Sequence, residues 1–134
     1  MNDTDDILTP AEAARLDALK AAHGDARAYH AGGRRWFLRK PRRVEWLKFK
    51  TDTNHTDPVT RVRAGELLAR ACLAPLDAAG SVDAERVAFD AMGEDCPALP
   101  DVLGMLVVQL AAGPHQVTEG KPPSSSAPPS ATRE

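Results

Sequence analysis

The chain is short of the residues that carry covalent and metal chemistry. Two cysteines in 134 residues, Cys72 and Cys96, cannot build a disulfide scaffold. They form no CxxC pair and have no histidine cluster beside them, as a zinc site requires. Ser81 is the one serine before the C-terminal stretch, no GxSxG surrounds it, and its place before an acidic turn is that of a helix cap. Gly32-Gly33 lacks the Lys-Ser/Thr of a phosphate-cradling loop. His23, His30 and His115 stand alone, and Asp52, His55 and Asp57 are too few and too irregularly spaced for a cation loop. These shortages predict a protein that is not an enzyme and holds no cofactor and no metal. The longest apolar stretch, within 100–112, falls short of the roughly 20 residues that a membrane span takes. The acidic start, Met1 to Asp6, is unlike a secretory signal, so the expected place is the cytoplasm.

What is present is unevenly spread. The formal net charge is -2, yet residues 26–50 hold nine basic side chains against one acid, Glu45, while the flanking segments are acidic. Five of the six aromatics, Tyr29, Trp36, Phe37, Trp46 and Phe49, fall in the same window.

The pattern predicts one mainly α domain over 9–113 with a small N-terminal β-hairpin, about five helices in all. Residues 1–8 read as a flexible N-terminus, and 114–134, with five prolines and four serines, as a disordered tail. Thr9-Pro10-Ala11-Glu12 forms a capping box with proline at the first helical position, opening a helix that Gly24 stops. Gly32-Gly33 joins two short strands within 26–39, since both central residues of a tight hairpin turn take positive φ. Trp36 and Leu38 fall on one strand face, Phe37 and Arg39 on the other. Further helices are expected at 41–52, after Pro41, and at 57–74, opened by Asp57-Pro58. Two more follow: one from Ser81 to about Gly93, and one from Pro100 to Ala112. The last carries only Asp101 and Gln109 as polar residues, so it is buried on most sides or docks on another chain.

Two readings compete for the basic, aromatic window. Arg34, Arg35, Arg39, Lys40, Arg42, Arg43, Lys48 and Lys50, interleaved with Trp36, Phe37, Trp46 and Phe49, have the make-up of a single-strand nucleic-acid surface, where cations follow phosphates and rings stack on bases. Alternatively the rings are core, and the cations form a rim neutralised by the acidic helices on either side.

The run Gly33-Arg-Arg-Trp-Phe-Leu-Arg-Lys-Pro-Arg-Arg-Val-Glu45 resembles the strand-then-helix signature of small tail assembly chaperones of long-tailed bacteriophages and related tail-like particles. Leu19-Lys20 and His23-Gly24 ahead of the hairpin, Leu67-Leu68 to Cys72, and the Pro97–Leu110 stretch fit the same pattern, so the resemblance covers about 16–112. It implies a non-enzymatic protein of the bacterial host cytoplasm that coats an apolar, helical tape-measure protein until the tail-tube protein polymerises around it. It also implies a surplus of apolar helix surface. The candidate client-binding residues are Val44, Trp46, Leu47 and Phe49 on one helix and Leu103, Leu106, Val107 and Leu110 on another. Partners are then the tape-measure protein and the tail-tube protein, with self-association into a homo-oligomer as a further expectation. A structural tail or connector subunit of the same particle is the remaining alternative.

Overall fold

The computed structural model describes residues 7–112 and Gly120. The expected disordered tail and most of the expected flexible N-terminus lie outside the described residues. Eight elements follow in order: α1 (Pro10–His23), β1 (Ala26–Ala31), β2 (Arg34–Arg39), α2 (Arg43–Thr53), α3 (Pro58–Ala71), β3 (Leu73–Ala74), α4 (Val82–Asp95) and α5 (Leu99–Leu110). The fold is mainly α with a small antiparallel sheet of order β1-β2-β3.

Local chemistry sets most boundaries. Thr9 Oγ1 accepts from Glu12 N–H while Glu12 Oε1 accepts from Thr9 N–H, and Gly24 at φ 90° ends α1 with its N–H on Lys20 O. Gly32 and Gly33 both have positive φ, 60° and 81°, as a type I′ turn requires. A side chain at Gly32 would also press on Met92. Asp57 caps α3 and Ser81 caps α4.

The sheet is packed on both faces, which is how so small a sheet persists in water. Phe37, Ala26 and Ala74 point to one side and meet Leu19 and Leu16 of α1. Trp36, Leu38 and Leu73 point to the other and join Leu68, Phe89, Met92, Leu103, Val107 and Leu110 from α3, α4 and α5. The alternation expected along β2 is present, and the hairpin is the middle layer between α1 and the other helices. Trp36 anchors the larger core. Its ring is fully buried, lies edge-on to Phe89 at 5.9 Å, and donates Nε1–H to Ala31 O at 2.8 Å.

Four boundaries depart from the sequence expectation. The helix predicted over 57–74 stops at Ala71, because Leu73-Ala74 pairs with Leu38 and Phe37 as a third strand. The helix predicted from Pro41 starts at Arg43, since Glu45 Oε1 accepts from Arg42 N–H and fixes the first turn there. The fourth helix runs through Gly93 to Asp95. The fifth runs from Leu99 to Leu110, slightly ahead of the expected 100–112.

The helices α3 and α5 pack closely where Gly104 meets the Gly65 backbone. A Cβ on Gly104 would sit 2.6 Å from the Gly65 carbonyl carbon, which is backbone and cannot step aside. Two substitutions test this packing. Trp36→Ala lowers stability by about 3–5 kcal/mol through cavity formation, and Gly104→Ala lowers it by about 1–3 kcal/mol through overpacking. Urea denaturation measures both; unchanged midpoints would place the indole outside the core and separate the two helices.

Candidate functional site

The basic stretch is divided by the fold. Arg34 lies over the Trp36 ring at 4.2 Å and pairs with Glu85 of α4 at 2.7 Å. Arg35 lies 3.5 Å from Glu12 of α1. Arg39 grips Glu45 of α2 through two hydrogen bonds of 2.8 and 2.7 Å and also donates to Ala71 O, one of the carbonyls left open at the end of α3. Three of the expected surface cations thus fasten α4, α1 and α2 to the hairpin. Trp36 and Phe37 are wholly buried and cannot stack on bases. The rim-and-core reading of these residues is the one that the geometry supports. The remaining cations, Lys40, Arg42, Arg43, Lys48 and Lys50, gather at the start and outer side of α2. Of these, Arg42 pairs with Glu45 at 3.0 Å and Lys48 with Asp52 at 2.8 Å.

Glu45 is the most perturbed carboxylate of this region. Burial raises its pKa, but bonds from the Arg39 and Arg42 guanidinium groups and the Arg42 backbone N–H outweigh that and hold it at about 2. The bond to Glu45 in turn raises the Arg39 guanidinium above its ordinary value. Burial pushes the Cys72 thiol up to about 12, despite nearby Arg39, so it stays protonated and inert. Asp52, His55 and Asp57 do not converge: Asp52 holds Lys48, and Asp57 caps Val59 N–H and accepts from Thr60 Oγ1. Among the described residues no group of three or more His, Cys, Asp or Glu is placed to hold a metal ion. None of the helices described is long and apolar enough to cross a membrane.

The candidate client-binding residues separate into three kinds. Val44 and Leu47 of α2 stand in solvent at 68% and 44% exposure. Trp46, Phe49 and Leu106 are half-buried against the core. Leu103, Val107 and Leu110 are buried core residues, which corrects their assignment as surface. The Gly65–Gly104 approach turns that side of α5 inward. The outward side carries Val102, Met105 and Val108 at 46%, 68% and 37% exposure, three residues that the sequence reading missed. Their i, i+3, i+6 spacing was visible, but in a helix apolar almost all round it does not say which stripe faces out.

Two grooves flank this outer stripe of α5. One lies against β1 and is lined by Tyr29, Ala31, Val102 and Leu106. The other lies against the start of α2 and is lined by Lys40, Pro41, Arg43, Trp46, Val108 and Ala111. No model of a known protein family, no curated protein and no solved structure matches the chain.

The Glu45 node makes a pH-dependent contribution with a defined sign. A carboxylate whose folded pKa is depressed stabilises the fold above its unfolded pKa and loses that contribution as pH falls through the folded value. Glu45→Ala therefore costs about 3 kcal/mol near neutral pH, because Arg39 keeps its bond to Ala71 O but loses its counter-charge. The difference from the native chain narrows between the ordinary carboxylate range and pH about 2. Urea midpoints of both proteins across that range check it; a pH-independent difference would disconnect the node from stability.

Proposed function

We propose that this protein is a non-enzymatic assembly chaperone, which covers the apolar stripe of a long helical tape-measure protein and keeps it in solution until the tail tube polymerises around it. The reading joins the resemblance of the 33–45 run to one structural observation. Of the ten large apolar side chains exposed among the described residues, five lie on two helices, Val44 and Leu47 of α2 and Val102, Met105 and Val108 of α5, and none of the five belongs to the buried core. Single exposed apolar residues are ordinary, but regularly spaced ones on a helix beside apolar grooves are what helix-in-groove recognition uses. Many weak copies along one client would let tube subunits displace them in turn. The nucleic-acid alternative is weakened by the burial of Trp36 and Phe37 and by the pairing of Arg34, Arg35 and Arg39 within the fold.

Co-expression of the full chain with a long helical tape-measure protein tests the reading. The client is expected to stay in the soluble fraction only when the chaperone is present, and the complex to survive about 1 M salt, where exposed charge pairs are screened. A client that pellets equally without the chain would overturn the reading. So would single-stranded DNA binding by the chain that collapses as salt rises.

A further inference from the structure

The groove between the start of α2 and the end of α5 differs from the other apolar surfaces in its charges. Its floor is apolar: Pro41, the half-buried Trp46 ring, Val108 and Ala111. Its lining also includes two cations, the half-buried Lys40 and the exposed Arg43. Of the other cations in the 34–50 stretch, Arg34, Arg35, Arg39, Arg42 and Lys48 each face a carboxylate, and Lys50, which lies outside this groove, does not. Among the described residues neither Lys40 Nζ nor the Arg43 guanidinium lies within ion-pair distance of one. The groove measures about 510 Å³, room for two or three bulky side chains rather than a whole helix. One face of an incoming helix would therefore seat its apolar side chains over Trp46 and Val108 and bring its flank past the two cations.

Building on the chaperone reading, we propose that this groove is the client-docking site and that it selects an amphipathic helix whose apolar stripe is flanked by carboxylates. A desolvated apolar contact supplies the holding force, while Lys40 and Arg43 set the orientation and reject basic stretches, because like charges brought together at a rim oppose binding. Apolar surface alone would hold any amphipathic helix. The cations restrict the client to its acidic segments and fix its direction along α5.

Two synthetic helical peptides with the same leucine stripe, one flanked by glutamates and one by lysines, serve as probes with the full-length protein. Calorimetry at about 0.1 M salt is expected to show the glutamate peptide binding roughly tenfold more tightly. The Lys40→Glu/Arg43→Glu double variant is expected to reverse the preference, and Arg43→Glu alone, at an exposed position, to weaken it in the same direction with the melting temperature unchanged. Trp46 emission should shift on binding. Equal affinity for the two peptides, or a preference that the double variant leaves intact, would overturn the proposal. So would displacement of the probe by an excess of a peptide copying residues 114–134, which would make the chain's own C-terminal stretch the occupant. A concentration-dependent dimer abolished by the same double variant would also overturn it, by making a second copy the occupant. If the double variant still keeps the long client soluble, the docking site fails and the chaperone reading stands. If the peptides discriminate as expected and the long client still pellets, the reverse holds.

Discussion

The arrangement depends on one ion pair more than on any other polar contact. Arg39 ends β2, Glu45 lies in the first turn of α2, and the two join where α3 also ends, since Arg39 donates to Ala71 O as well. With side chains about one-eighth exposed, the pair is shielded enough to resist screening yet satisfied on every side. Its position explains why the chain turns from strand to helix across Lys40-Pro41 and why α2 lies beside the bundle. The pair adds a polar tie to the packing of Trp46 and Phe49 on the core, and the two together set the outer face of α2 and the groove beside it relative to α5.

Elements set by neighbours along the chain are legible in the sequence. The Thr9–Glu12 box, the Gly32-Gly33 turn, the Asp57 and Ser81 caps and the alternation along β2 each act over a few residues, so the sequence carries them whole. The failures share a different cause. Leu73-Ala74 is too short to signal a strand, and it becomes one because Arg39 N–H reaches Cys72 O across the fold. The end of α3 at Ala71 has no glycine to announce it.

The same division runs through the candidate site. The eight candidate client-binding residues were named alike from the sequence, yet Val44 and Leu47 stand in solvent while Leu103, Val107 and Leu110 are core. Amphipathicity identifies a buried face only where polar residues mark the opposite one, and α5 offers just Asp101 and Gln109. The orienting residue is Gly104, which lets the backbone of α3 come close. A glycine inside a helix can be noted from sequence, but its partner Gly65 cannot be paired with it without the fold. The basic stretch likewise reads as one surface in one dimension. Arg34, Arg35 and Arg39 prove to be directed to α4, α1 and α2 in turn, and among the described residues Lys40, Arg43 and Lys50 face no carboxylate.

The hairpin has a consequence for sheet growth. A two-residue turn makes Ala31 and Arg34 an inward-bonded pair, and alternation continues through Tyr29, Arg27 and Asp25, whose carbonyl takes Lys40 N–H. Ala26, Ala28 and His30 therefore aim their amides at the open side of β1. Asp25 Oδ1 already occupies the first of these at 2.9 Å. An intruding strand would find two usable rungs and the exposed charge of Arg27 beside them. The open edge of β1 is thereby poorly suited to seeding a cross-strand ladder.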